Sequence, residues 1–375
     1  MIPLRHVLTF ALGAGASAIA LTARCTDHNV TVHVDRTTEK DLRSTPQSIE
    51  VLYALASKEI LVTNSYNLSV KLCVPPNSGS NPLQLLVHGA TFNKNMWDSQ
   101  YLPEKHNSVQ RMYREGYPTL AVDLIGSGNS SFPAGLLETQ TQNYVETVHQ
   151  LIQQLRWGKI DGRPWRRIAF VGFSIGSIVA NSLAQQYPTD VDIIVLHGVS
   201  WDASWIYPAF LAGFQGAANQ IDPVRWGHLQ SYYQSQSKIT GREAACFAGS
   251  YDRAALEYDW KTRDFDTMGA AITFTYHLVK APAFKGPVFL GIGRSYVQLE
   301  SGHKNGQDDS NQVDDATFCG AEVCDTAPEG VYDNFLAASD HEVQVYPETG
   351  HLILFHHTGP KLMDDSIAFL KKHGF

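Results

Sequence analysis

Ser174 is the residue in this chain best placed to act as a nucleophile. It stands in Arg167-Ile168-Ala169-Phe170-Val171-Gly172-Phe173-Ser174-Ile175-Gly176-Ser177-Ile178-Val179-Ala180, where a short apolar run leads through G-x-S-x-G into small residues at helical spacing. The pattern predicts a strand, a sharp turn and a helix, with the serine at the apex. A turn this tight strains the serine backbone and leaves no room for a Cβ two residues to either side. It lifts the hydroxyl clear of the sheet. It also sets the backbone N–H of Ile175 at a helix start, where it can donate to a developing oxyanion. With this much glycine and serine, G-x-S-x-G arises by chance in ~1 chain in 5, so the flanking strand and helix carry the assignment.

Three further segments accompany the elbow: His88-Gly89-Ala90-Thr91 after an apolar run, Asp123-Leu124-Ile125-Gly126-Ser127-Gly128-Asn129-Ser130 after another, and Thr349-Gly350-His351 near the C-terminus. Together they resemble the α/β-hydrolase fold. The closest resemblance is to the secreted-type α/β-hydrolases of fungi, many of which act in natural-product pathways. It covers most of the chain after about residue 50.

The resemblance implies roles for named residues. His351, alone of 15 histidines in following the predicted last strand directly, takes the place of the catalytic base. The chain order of serine, acid and histidine is the expected one. The N–H of Ala90 or Thr91 supplies the second oxyanion donor beside that of Ile175, and His88 is structural. His356 and His357 are expected on the helix that follows, as surface or packing residues.

The triad acid departs from the family pattern. The strand Pro287–Gly293 is followed by Arg294-Ser295-Tyr296 rather than by an aspartate, and a polar tract runs from about Val297 to Asn311. That tract looks like an insertion, for which a retained intron is one source. In the fungal relatives the acid is followed by a short step to Phe-Cys and a second cysteine. That arrangement maps the acid onto Asp315, with Asp314 beside it and Cys319 and Cys324 beyond. The alternatives are Glu300, Asp308, Asp309 and Asp202, the last because some relatives take the acid from the end of the preceding strand.

The elements that must position these residues can be read in order. Leu68–Val74 alternates as a half-buried strand, expected at the antiparallel edge of the sheet. Leu83–Val87 and Thr119–Leu124 are buried strands. The glycines after Asp123 do not have the G-x-G-x-x-G spacing of a phosphate cradle, and no basic residue follows, so a tight loop ordered by Asp123 is expected. Leu136–Leu155 has helical apolar spacing, and Val191–Gly198 is the next strand. Alternating strands and helices imply a mostly parallel central sheet flanked by helices. From 199 to 285 the strand pattern stops. The segment is rich in aromatics (Trp201, Trp205, Tyr207, Phe210, Phe214, Trp226, Tyr232 and Tyr233) and reads as an inserted lid. Its aromatics either line an apolar substrate pocket or fill the lid's own core. The last strand is Glu342–Pro347 and the last helix Leu362–Lys372. The α/β-hydrolase core is thus expected over 48–198 and 286–375.

Bulk properties narrow the partners. The chain has 375 residues, 43% of them hydrophobic, and a net charge of −8. Mean hydropathy is −0.19. Length and composition suffice for one large core. The acidic balance argues against nucleic acid and anionic membrane surfaces. Arg5 and His6 precede an apolar stretch from Val7 to Ala23 with small-residue cleavage sites at Ala18-Ile19-Ala20 and Leu21-Thr22-Ala23, so residues 1–23 read as a secretory signal peptide, the alternative being an N-terminal anchor. Asn29-Val30-Thr31 and Asn67-Leu68-Ser69 are glycosylation acceptors expected outside the core strands. Asn129-Ser130-Ser131 also matches, but its place near the site favours an unmodified asparagine. The five cysteines fit an oxidising compartment: Cys319 and Cys324 are close enough to bridge, Cys25 and Cys73 can tie the N-terminal segment to the first strands, and Cys246 is left over. No metal or organic cofactor is implied.

Three function classes use this set of residues. The first is a serine-dependent hydrolase of an ester, thioester or lactone of a mid-sized apolar metabolite. The second is a non-hydrolytic enzyme of the same fold, an acyltransferase or a cyclase or lyase. The third is a non-catalytic binding protein, against which an intact G-x-S-x-G and T-G-H weigh.

Overall fold

The computed structural model describes residues 23–44, 58–201, 215–294 and 330–375. The chain runs through β1 (Cys25–Lys40), β2 (Glu59–Cys73), β3 (Leu83–Val87), α1 (Ser108–Arg114), β4 (Thr119–Val122), α2 (Thr141–Arg156), β5 (Ile168–Phe173), α3 (Ile175–Gln186) and β6 (Ile193–His197). A cap follows, with β7 (Gln215–Ala217), β8 (Tyr233–Gln236), α4 (Ile239–Cys246), α5 (Arg253–Thr262) and β9 (Asp266–Thr267). The chain then returns to the main sheet with β10 (Val288–Arg294), β11 (His341–Pro347) and the closing helix α6 (Gly359–Lys372).

The main sheet is eight-stranded, in the order β1-β2-β4-β3-β5-β6-β10-β11. β1, β2 and β4 pair antiparallel, and every pairing from β4 onward is parallel. This is the α/β-hydrolase fold. β3, β5 and β6 are buried at every residue, as strands covered on both faces by helices must be. α2 turns Tyr144, Val148, Leu151, Ile152 and Leu155 inward at helical spacing, and α3 buries its small residues against β5. The carboxyl ends of the parallel strands converge on one edge, where ligands bind in open α/β sheets.

Several expectations are corrected here. The antiparallel edge strand is β1, outside β2, so the sheet begins at Cys25 and not at residue 48. Asn29 and Asn67 lie on β1 and β2 rather than outside the strands. Both are on the exposed face, where Thr31 Oγ1 donates to Asn67 Oδ1 at 2.7 Å. The cap contains a small three-stranded sheet, β7-β8-β9, within the stretch expected to hold no strands. Its aromatics divide: Trp226, Tyr233 and Phe265 pack with Leu229 and Ala218 as the cap's own core, and Tyr232 is exposed. Trp205, Tyr207, Phe210 and Phe214 lie outside the described residues, as does the leader up to residue 22. Among the described residues no helix is long and apolar enough to cross a membrane.

Cys25 and Cys73 face each other across the β1–β2 register and form a disulfide. Cys246 is buried and belongs to no disulfide among the described residues. Cys319 and Cys324 lie outside the described residues.

Candidate active site

Ser174 sits between β5 and α3 with φ 54° and ψ −117°, a conformation that costs a non-glycine residue ~1–3 kcal/mol. The surroundings over-determine it. Its N–H donates to the His197 carbonyl at 2.9 Å, and Ser177 Oγ donates to the carbonyls of Gly172 at 2.9 Å and His197 at 3.0 Å. The flanking glycines are sterically required. A Cβ on Gly172 would lie 2.6 Å from the backbone of Gly176, and one on Gly176 would lie 2.8 Å from the His88 carbonyl oxygen. The elbow therefore presses directly on the end of β3.

That contact places the loop after β3 over Ser174. A Cβ on Gly89 would stand 3.1 Å from Ser174 Cβ and 2.7 Å from the Phe173 ring. Ala90 and Thr91 follow, and Thr91 turns the chain at φ 62°. His88 is buried: its Nε2 accepts the Leu124 N–H at 3.1 Å and its Nδ1 lies 2.8 Å from the Gly89 carbonyl. Burial holds its pKa below the usual histidine value. It links the ends of β3 and β4.

His351 follows β11 on a turn entered through Glu348 at φ 52°. It is buried, and its ring packs on Phe173, the residue before Ser174, with centroids 4.9 Å apart. Gly198, at the end of β6, lies beneath it. His356 fixes this turn. Its Nε2 accepts the N–H of Gly350 at 3.0 Å and of Ala248 at 3.3 Å, while its Nδ1 lies 2.9 Å from the Leu352 carbonyl. It belongs to no helix, contrary to expectation, and lies just beyond the short helical turn Ile353–Phe355.

The loop after β4 is ordered by Asp123 as expected. Asp123 accepts the N–H of Lys94 at 2.7 Å and of Asn129 at 2.9 Å, and its carboxylate pairs with the buried Lys94 ammonium at 2.6 Å. Asp264 of the cap accepts from Asn93 Nδ2 and from the Gly128 N–H, both at 2.9 Å. Burial, with the nearby Asp123 charge, pushes the Asp264 carboxyl up to about 6 despite these bonds.

The structure thus brings Ser174, Ile175, Ala90, Thr91 and His351 to one edge of the sheet. The candidate acids Asp315, Asp314, Asp202, Glu300, Asp308 and Asp309 all lie outside the described residues. Lys94, Arg242 and Asp264 are not singled out by sequence, and His356 is expected there only as a surface or packing residue. Asp123 alone carried a readable cue, through its loop; its partner Lys94 and the cap residues belong to no motif.

Comparison with known proteins agrees with this geometry. The alpha/beta hydrolase family matches residues 84–361. Among solved structures, a monoacylglycerol lipase from Paleococcus ferrophilus superposes with a TM-score of 0.54 at 15% identity, over 82% of this chain and 99% of that one. An esterase from Exiguobacterium antarcticum gives 0.51 at 15% identity, over 82% and 96%. A protein from Rickettsia typhi gives 0.52 at 10% identity, over 92% and 99%. An uncharacterised protein of Mycobacterium tuberculosis is 28% identical over 133 residues, 35% of this chain; the match spans only 33% of that relative's length. With the family match running from β3 to the start of α6, the chain belongs to the alpha/beta hydrolase family.

Proposed function

We propose that this protein is a serine-dependent carboxylic-ester hydrolase. The observation that carries the proposal is the strained Ser174 elbow with His351 packed on the adjoining Phe173 ring. In this reading His351 takes the Ser174 proton as Ser174 Oγ attacks the acyl carbonyl. The N–H groups of Ile175 and of Ala90 or Thr91 receive the negative charge, each worth ~3 kcal/mol to the transition state. The tetrahedral adduct collapses, His351 protonates the leaving alcohol, and water activated by the same imidazole releases the acid. Asp315 is the proposed partner of His351. The monoacylglycerol lipase and esterase folds among the similar structures support an ester as substrate.

The motif resemblance extends the proposal to a mid-sized apolar acyl metabolite of a fungal natural-product pathway. The disulfide between Cys25 and Cys73 supports an oxidising secretory compartment. Labelling with a fluorophosphonate probe, read by peptide mass, tests the reading. Labelling confined to Ser174, lost in Ser174→Ala together with about 10,000-fold or more of p-nitrophenyl ester turnover, is the expected result. A folded parent that resists the probe overturns it.

A further inference from the structure

The loop that passes over Ser174 is held by the cap at two atoms of one residue. The Thr91 carbonyl accepts the Asp264 N–H at 2.9 Å. The Thr91 hydroxyl accepts from Arg242 Nη1 at 2.5 Å and donates to the Ala90 carbonyl at 2.6 Å. Arg242, on α4, is fully buried. Asp259 on α5 accepts from the other side of its fork, with Nε to Oδ2 at 2.6 Å and Nη2 to Oδ1 at 2.9 Å, and Nη1 also donates to Gln236 Oε1 at 3.2 Å. Its guanidinium lies over the Phe92 ring at 4.1 Å, and that ring meets Phe173 edge-on at 5.5 Å.

Stability alone does not account for this arrangement. Removing a guanidinium and a carboxylate from water costs several kcal/mol, and apolar side chains of similar volume join two helices as well or better. A planar fork locked by a bidentate carboxylate does something they cannot. It fixes the plane of the fork, and so aims Nη1 at the Thr91 hydroxyl and the Gln236 side-chain carbonyl.

We infer that Arg242, locked by Asp259, is a positioning residue for the oxyanion hole, holding the Ala90–Thr91 backbone in register with Ser174 from the cap side. This rests on the serine-hydrolase reading above. The cap thereby contributes to turnover as well as to substrate selection. A peptide N–H stabilises an oxyanion only at hydrogen-bond distance from where the charge forms, so a small drift of this loop is felt in the transition state more than in the bound substrate.

The test uses Thr91→Val, which removes only the hydroxyl, together with Arg242→Met and the double variant. Three quantities are read: the rate of fluorophosphonate labelling at Ser174, kcat and KM on p-nitrophenyl butyrate, and inhibition by phenylboronic acid. Each single variant should lower labelling and kcat by ~10–100-fold with KM changed less than about twofold, and weaken boronate inhibition in proportion. The double variant should lose little more than either single, because one contact is removed in both. If Arg242→Met does not fold, Thr91→Val decides alone. A folded Thr91→Val labelled at the parental rate overturns the positioning role and leaves the hydrolase reading intact. A parent that is not labelled overturns the hydrolase reading itself.

Discussion

A Cβ added at Gly198 would stand 3.1 Å from both Cε1 and Nδ1 of His351. Gly198 also has φ +60°, which an L side chain adopts only at a cost of ~1–2 kcal/mol. Gly198→Ala should therefore displace the imidazole, lowering kcat on p-nitrophenyl butyrate by ~10–100-fold with a modest fall in Tm. Steady-state kinetics and a thermal melt check both. Parental kcat in a folded variant would show that His351 does not act from this packed position.

The elbow predicts a second, larger structural effect. A methyl at Gly176 is driven into the carbonyls of Val87 and His88, both backbone atoms that cannot swing aside. Gly176→Ala should cost about 2–3 kcal/mol in urea unfolding and should also disturb the loop over Ser174. Unchanged stability would mean that the close approach of β3 to the elbow is not maintained in solution.

Far from the site, Glu39 lies buried under α2, and burial together with the Glu146 charge pushes its carboxyl up to about 9. Its unfolded value is near 4.5. Between these values the folded chain keeps a proton that the unfolded chain has released, so this carboxyl's contribution to stability is complete below about 4.5 and is lost as pH rises toward 9. Glu39→Gln removes the titration. Its Tm should exceed that of the parent at high pH by ~2 °C or more, and the gap should close toward pH 5. Thermal melts across this range give the answer, and a gap independent of pH would contradict the assignment.

Cys25 and Cys73 are 48 positions apart, a span whose closure removes unfolded-state entropy worth ~4 kcal/mol in the chain-entropy account. The double replacement Cys25→Ser with Cys73→Ser, or reduction of the parent, should lower stability by ~2–4 kcal/mol. The parent's melts with and without reductant should differ accordingly, and the variant's should coincide.

What the sequence disclosed followed the range of the interactions involved. The elbow was legible because strand, turn and helix are encoded in one contiguous run, and its glycine requirement follows from local backbone geometry. His351 was legible by its place after the last strand. β1 escapes a local reading because its inward residues are Val30, Val32 and Val34 followed by the polar Thr37 and Glu39, and a register shift between Val34 and Thr37 breaks the alternation. β7, β8 and β9 are too short and too polar to show a period of two. The bond from Arg242 to Thr91 joins residues 151 positions apart, and no local pattern announces such a pair. His356, expected on a helix, lies instead in a tight turn that uses the imidazole to hold Gly350, a long-range role that no local pattern announces.

The clamp on Thr91 bears on how such enzymes can be altered. Their caps invite treatment as interchangeable cassettes, to be swapped between relatives for new substrate ranges. Here the residues that hold the 91–93 segment, Arg242 and Asp264 with Asp259 behind, are all carried by the cap. A graft cut at the ends of the insertion would deliver a new pocket and discard the supports of the loop over Ser174. A chimera of this protein must therefore import the donor's matching loop with its cap, so that the unit of exchange is the pair.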